Sequence, residues 1–113
     1  MDFLNNKISI YVPSTIEGNI PIIKQYRASV AKLLCRFFGG ATDIVTEGYY
    51  LANNGELIKE RINIVYSFCS DEQLKNNLPK VIKICEYLKK EMQQECISLE
   101  VNNKLTFILS QTK

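Results

Sequence analysis

The chain has 113 residues, of which 46% are hydrophobic and 23% are charged, and its net charge is +2. This length and balance predict one globular domain over residues 1–113 and exclude a disordered chain. The small net charge argues against a committed nucleic-acid binder, and no apolar run approaches the roughly 18 residues of a membrane-spanning helix.

The N-terminus and the cysteines indicate a reducing compartment. Residues 1–7 lack the basic start and long apolar core of a signal peptide, so we expect a cytoplasmic protein. No two cysteines have Cys-x-x-Cys spacing, and the chain contains no histidine. We therefore expect no metal site and no cofactor, and we interpret the cysteines as small buried side chains. They are Cys35, Cys69, Cys85 and Cys96.

The first predicted element is a half-buried strand at residues 7–12, because apolar and polar side chains alternate there. Its two predicted faces are Ile8, Ile10 and Val12 on one side, and Ser9 and Tyr11 on the other.

An amphipathic helix is predicted next, over residues 20–38, where apolar side chains recur at steps of three and four. Asn19 is its expected N-cap, and Pro21 is tolerated in the first turn. Gly39-Gly40 predicts the end of the helix, since glycine readily adopts the left-handed conformation found there.

The middle of the chain predicts a β-hairpin, with strands at residues 42–52 and 57–69 around the turn Asn53-Asn54-Gly55-Glu56. Gly48 lies within the first of these strands, where glycine suggests a bulge or a close backbone approach. The second strand has an apolar face, which also holds Glu60, and a mixed face. The apolar face is Ile58, Ile62, Ile64, Tyr66 and Phe68, and the mixed face is Lys59, Arg61, Asn63, Val65 and Ser67.

A second helix is predicted after the hairpin, because Ser70 to Gln73 has the pattern of a capping box. Pro79 falls inside the helical pattern, where proline costs roughly 3 kcal/mol. We therefore expect either a short turn over residues 71–76 followed by a helix over 78–93, or one kinked helix.

Two short strands are predicted at the C-terminal end, at residues 96–101 and 105–109, separated by the turn residues Asn102-Asn103. Ile97, Leu99 and Val101 are the expected inward-facing side chains of the first of them.

This order predicts an α+β domain with a ferredoxin-like β-α-β-β-α-β arrangement, two helices on one face of an antiparallel sheet, and an extra C-terminal strand. Such a sheet leaves its second face open. We expect Tyr11, Val45, Tyr49 and Val65 on that open face, a set too apolar to be left in water. The chain is therefore predicted to form a homodimer or a larger homo-oligomer.

Several short motifs resemble those of small uncharacterised proteins from Gram-positive bacteria, their plasmids and their phages. The resemblance implies the fold and brings no activity with it; at a position where such relatives often have tryptophan, this chain has Tyr50. The motifs are Pro13-Ser14-Thr15, Phe38-Gly39-Gly40-Ala41-Thr42, Gly48-Tyr49-Tyr50, Gly55-Glu56-Leu57 and Glu60.

Three groups of residues are candidate sites. Ser14 and Thr15 lie in a polar loop before a helix, where backbone N–H groups can bind an anion, although the loop lacks the P-loop pattern and ordinary capping explains it equally.

Glu47 and Glu60 lie on the two strands of the hairpin, so we expect them to come close enough for acid–base work or metal binding. The alternative is that they form cross-strand ion pairs with Arg61 or Lys59.

Tyr49 and Tyr50, with Tyr11 and Tyr66, could stack nucleic-acid bases on the sheet. The basic, aromatic-rich motif of RNA-recognition domains is absent, so packing or an oligomer interface is the favoured interpretation.

These observations favour a non-catalytic binding or interaction module that acts as a homo-oligomer. It would be a phage or mobile-element accessory protein that inhibits a host factor or sequesters a small, nucleotide-like or anionic ligand. The first alternative is a small enzyme with an inter-subunit site around Ser14, Glu47, Glu60 and Arg61. A ligand or partner is expected first at Glu47, Gly48 and Tyr49, beside Glu60 and Arg61. The second is a single-stranded nucleic-acid binder.

Overall fold

The computed structural model describes residues 3–14 and 20–109, except for the side chains of residues 20–24. The expected N-cap Asn19 and the side chain of Pro21 therefore lie outside the described part of the chain. The elements in chain order are β1 (Asn6–Pro13), α1 (Ile20–Phe38), β2 (Thr42–Leu51), β3 (Leu57–Cys69), α2 (Asp71–Glu91), β4 (Cys96–Val101) and β5 (Lys104–Leu109).

The fold is α+β, with two helices and one five-stranded sheet in the order β2-β3-β1-β4-β5. Every neighbouring pair of strands is antiparallel. This arrangement is consistent with the ferredoxin-like prediction. Neither described helix combines the length and apolar character needed to cross a membrane.

One face of the sheet packs against both helices and forms the core. The predicted inward face of β1, made of Ile8, Ile10 and Val12, is buried there, and so are Ile97 and Leu99 of β4. The helices contribute apolar side chains from their facing stripes to the same cluster. These are Val30, Leu34 and Phe38 from α1, and Val81, Cys85 and Leu88 from α2.

Three of the four side chains expected on the open face, Val45, Tyr49 and Val65, lie on the helix side of the sheet instead. Val65 lies opposite Ile10 of β1 and is fully buried in the core. Val45 lies opposite Asn63 and Tyr49 opposite Lys59, so both share the helix side of the sheet with Val65. Pairing with β1 decides which face of β3 is covered, and it leaves the apolar set Ile62, Ile64, Tyr66 and Phe68 on the side without helices.

The predicted bulge at Gly48 does not form, since β2 and β3 pair without interruption from Thr42↔Tyr66 to Leu51↔Leu57. A Cβ at Gly48 would lie 2.9 Å from Cδ1 of Ile62. The atom that comes close to Gly48 therefore belongs to the side chain of Ile62, not to another backbone segment. Gly39 and Gly55 have φ of 96° and 85°, as expected for the predicted helix end and turn.

Helix α2 runs unbroken from Asp71 to Glu91 through Pro79, so a separate short turn before the main helix is excluded. The capping box is confirmed. The Gln73 N–H donates to Oγ of Ser70 over 3.1 Å, and the Ser70 N–H donates to Oε1 of Gln73 over 2.9 Å.

The burial predicted for the cysteines holds for two of them. Cys69 and Cys85 are buried, and burial raises the pKa of the Cys85 thiol to about 12. Cys35 is exposed and Cys96 is half-buried, contrary to expectation.

Candidate functional site

The open face, meaning the sheet face turned away from the helices, presents a broad apolar surface. Its outward side chains come from all five strands. Six large apolar side chains on β2, β3 and β5 are 41% to 62% exposed, and others on β3, such as Ile62 and Tyr66, are half-buried. A patch of this kind usually marks a binding or assembly surface. Its exposed members are Ile44, Tyr50, Phe68, Leu105, Phe107 and Leu109.

A cavity of about 200 Å³ lies at one end of the open face. Strands β1, β3 and β4 line it, together with Gln94 from the segment before β4. The lining residues are Tyr11, Pro13, Glu60, Ile62, Gln94, Cys96 and Ser98. A carboxylate, a phenol, an amide and a hydroxyl therefore surround a space with aliphatic walls, which is the usual composition of a small-molecule site.

The phenol of Tyr11 is held in place by a carboxylate. Its O–H donates to Oε1 of Glu100 over 2.9 Å. Burial, followed by the hydrogen bond and the charge of Glu100, raises the pKa of Tyr11. Tyr11 therefore stays neutral. The carboxylate that lines the cavity is that of Glu60, and the carboxylate of Glu100 is linked to the cavity through Tyr11.

Acidic strand residues outnumber basic ones on the open face. Of the strand residues on that face, Glu60 and Glu100 are acidic and Lys7 is basic. The Lys7 ammonium is already engaged, 4.2 Å from the ring centroid of Tyr66. A ligand that carries positive charge is therefore favoured over an anion in this cavity.

The expected pair of Glu47 and Glu60 does not form. Glu60 lies opposite Gly48 and points to the open face, whereas Glu47 lies opposite Arg61 and points to the other face. Glu47 instead pairs with Lys59, with 3.1 Å between Oε2 and Nζ. Both side chains are about half-exposed, so this ion pair contributes well under about 1 kcal/mol.

The predicted hairpin residues are thus divided between the two faces of the sheet. Gly48, Tyr50 and Glu60 lie on the open face, while Glu47, Tyr49 and Arg61 lie on the opposite face. They cannot form one site, because successive residues of a strand point in opposite directions.

Only one residue of the candidate anion site in the loop after β1 belongs to the described part of the chain. Ser14 is half-buried at the end of β1, and Thr15 lies outside the described residues. Within the described part of the chain, no group of three cysteine, aspartate or glutamate side chains lies close enough together to hold a metal ion.

The open face has aromatic side chains on which nucleic-acid bases can stack, but few basic side chains to bind the phosphates. Tyr11, Tyr66 and Phe68 lie on the adjacent strands β1 and β3, and Tyr50 lies on β2. Nucleic-acid binding also requires cations along the phosphate backbone, and this face has more acidic than basic strand residues.

Sequence reasoning missed Gln94, Ser98 and Glu100 as members of this site. Their position could have been partly inferred, since residues that alternate with Ile97 and Leu99 must point away from the core. The contact of Tyr11 with Glu100 depends on the pairing of β1 with β4, which joins residues 89 positions apart.

No known protein-family model matches this chain, and no curated protein does. Among solved structures, it is similar to a phage SAM lyase in the apo state, with 18% identity and a TM-score of 0.65 over 100% of this chain and 98% of that one. A phage SAM lyase in complex with S-methyl-5'-thioadenosine gives 16% identity and a TM-score of 0.64, covering 100% and 95% of the two chains.

A third similar structure is CutA from Synechococcus elongatus, with 10% identity and a TM-score of 0.56 over 96% of this chain and 85% of that one. At these identities the similarities show a shared fold.

Proposed function

We propose that this chain is a ferredoxin-like phage or mobile-element protein that binds a ligand of the S-adenosylmethionine class, as a homo-oligomer. The cavity lined by Tyr11, Glu60 and Ser98 is the proposed site. The observation that carries the proposal is the position of the Glu60 carboxylate in a cavity whose other border is the Tyr11–Glu100 pair.

The chemistry of the ligand supports this assignment. S-adenosylmethionine has a sulfonium, an ammonium and a carboxylate, so it is a net cation, and a protein carboxylate can stabilise either of its positive groups. A phage SAM lyase of the same fold is in complex with S-methyl-5'-thioadenosine. This compound is the uncharged fragment of S-adenosylmethionine that contains the adenosine. The charged groups distinguish the two molecules, so Glu60 would favour the sulfonium compound.

The size of the cavity supports a homo-oligomer. About 200 Å³ is less than the roughly 300–1,000 Å³ of typical ligand sites, so one chain supplies only part of the walls. The apolar open face continues directly from this cavity. A second copy that covers the open face would bury exposed side chains and complete the site.

The test is calorimetric titration of the protein with S-adenosylmethionine and with S-methyl-5'-thioadenosine. Glu60→Gln should weaken S-adenosylmethionine binding about 10- to 100-fold, because a hydrogen bond to a charged group is worth about 1.5–3 kcal/mol. The neutral thioether should bind the variant almost as well as it binds the unchanged protein.

Glu56→Gln is the control, since Glu56 is an exposed carboxylate in the hairpin turn. It should bind both compounds normally. Equal affinity of Glu60→Gln and the unchanged protein for S-adenosylmethionine would contradict the site. Absence of binding by the unchanged protein would contradict the ligand class.

A second candidate function is cleavage of the same ligand, which the carboxylate-lined cavity and the likeness to a lyase favour. In a balanced step, the carboxylate of the ligand attacks its own γ-carbon and forms a C–O bond while the C–S bond breaks. The sulfur leaves with the electron pair as a neutral thioether, the other product is a lactone, and no general acid is required. The chain would act by orienting the ligand and stabilising charge, and histidine is not needed for either.

Chromatography separates cleavage from sequestration. Cleavage predicts that S-methyl-5'-thioadenosine accumulates over many turnovers and that Glu60→Gln slows its formation. Tight binding without accumulation of the thioether would favour sequestration.

A further inference from the structure

A second cleft lies between the two helices, on a different part of the molecule from the proposed site. Its volume is about 480 Å³, within the range of small-molecule sites. The floor is formed by Val30 and Leu88, which are each 1% exposed. The lining residues are Gln25, Tyr26, Ser29, Val30, Leu33, Ile84, Tyr87 and Leu88.

Gln25, Ser29 and two tyrosines supply the polar groups that line this cleft, and the carboxylate of Glu91 is linked to it through Tyr26. The Tyr26 O–H donates to Oε1 of Glu91 over 3.4 Å, which is long for a hydrogen bond to a carboxylate. Tyr87 stands on the facing helix with 57% of its surface exposed. The carboxylate is therefore loosely held and can accept a stronger interaction from a ligand.

The charged group recorded beside the cleft is the carboxylate of Glu91, which contacts Tyr26. Burial, then the charge of Glu91 and then the phenol of Tyr87, raises the pKa of Tyr26. No lysine or arginine is among the described residues that line the cleft. The charge of Glu91, which disfavours a phenolate at Tyr26, would also repel an anionic ligand and attract a cation.

We propose that this cleft binds a small organic cation with an apolar body, such as an alkylated ammonium compound. The apolar part would lie on Val30 and Leu88, and the cationic head would lie between the tyrosines, beside the carboxylate of Glu91. Tyrosine rings attract cations through their negative faces, and the low hydration of an alkylated ammonium lets it enter an apolar cleft.

The probe is choline, compared with its neutral isostere in which a tert-butyl group replaces the trimethylammonium. Methyl NMR spectra follow Leu33, Ile84 and Leu88 during each titration. Choline should shift these resonances in a saturable manner, and the isostere should bind more weakly. Tyr87→Leu and Glu91→Gln should each weaken choline binding about two- to fivefold, the size expected for exposed cation–π and ionic contacts.

Glu72→Gln is the matched control, because it removes a carboxylate from the first turn of the same helix, at the opposite end from Glu91 and its contact with Tyr26. It should bind choline normally. Glu60→Gln should also bind choline normally, which separates this cleft from the site proposed on the open face. Equal binding of choline and its isostere, no saturable shift, or normal choline binding by Glu91→Gln would each overturn the proposal.

Discussion

Asn6 joins three separate parts of the chain through one buried amide. Its Nδ2 donates to Oδ1 of Asp71 over 2.7 Å and to the Cys69 carbonyl over 3.3 Å, and its Oδ1 accepts from Nδ2 of Asn102 over 2.7 Å. These contacts connect the start of β1 with the start of α2 and with the turn between β4 and β5. A buried amide whose donors and acceptor are satisfied fixes the relative positions of these segments.

Replacing Asn6 by alanine should lower the free energy of unfolding by about 1–3 kcal/mol. The reason is that the Cys69 carbonyl loses a partner in a buried contact, and the partly buried hydrogen bonds to Asp71 and Asn102 are lost with it. Urea denaturation followed by circular dichroism measures the change. Asn53→Ala, at an exposed position in the hairpin turn, should stay within about 0.5 kcal/mol of the unchanged protein. Equal stability of the two variants would contradict this role of Asn6.

Sequence reasoning could not identify Asn6, because its side-chain partners lie 65 and 96 positions away. The same limit applies to Glu47 and Glu60. The hairpin turn predicts that their strands are neighbours, but only the register assigns the two carboxylates to opposite faces.

At the scale of the elements, α2 shows that tertiary packing can override a local propensity. Pro79 has no N–H to donate to the Lys75 carbonyl, yet the helix continues through it. Val81, Cys85 and Leu88 follow Pro79 and are all buried in the core, so the apolar stripe stabilises the helix beyond the proline.

Pro79→Ala should therefore raise the free energy of unfolding. The proline costs about 3 kcal/mol in a helix interior, and about 0.4–1 kcal/mol of this is offset because it also restricts the unfolded chain. A net gain of about 2 kcal/mol is expected in thermal or urea unfolding.

The matched control is Asn76→Ala, an exposed position of α2 near the proline, which should gain only about 0.5 kcal/mol from helix propensity. The prediction would be contradicted if Pro79→Ala raised the free energy of unfolding no more than Asn76→Ala does. The missing hydrogen bond would then cost the helix nothing.

At the scale of the whole molecule, the exposed apolar side chains of the open face are the reason to expect a homo-oligomer. The exposed side chains of β5 continue the apolar surface away from the ligand cavity, and Phe107 is 57% exposed. Leaving this surface in water is unfavourable, at roughly 25 cal/mol for each Å² of apolar area.

Light scattering of the unchanged protein should give a multiple of 13.0 kDa at micromolar concentration. Phe107→Asp should shift the mass toward that of one chain, because it places a charge within the buried contact. Thr106→Asp introduces the same charge on the other face of the same strand and should leave the mass unchanged. A mass of about 13.0 kDa for the unchanged protein, or equal effects of the two variants, would contradict assembly through the open face.

The sequence by itself determined the elements, because their signals are local. Alternation in β1, the glycine at the end of α1, the turn at Gly55 and the capping box at Ser70 each depend on residues that are close along the chain. These signals were enough to predict an α+β domain with two helices and an antiparallel sheet.

Only the tertiary structure decided which side of each strand is covered and which polar side chains meet. Val65 became core because β1 lies beside β3, and Glu60 joined Tyr11 rather than Glu47 for the same reason. The polarity of β3 does not decide which of its faces is covered, because its mixed face packs against the helices and its more apolar face is left open. The register with β1 makes that choice, and it also places the candidate site.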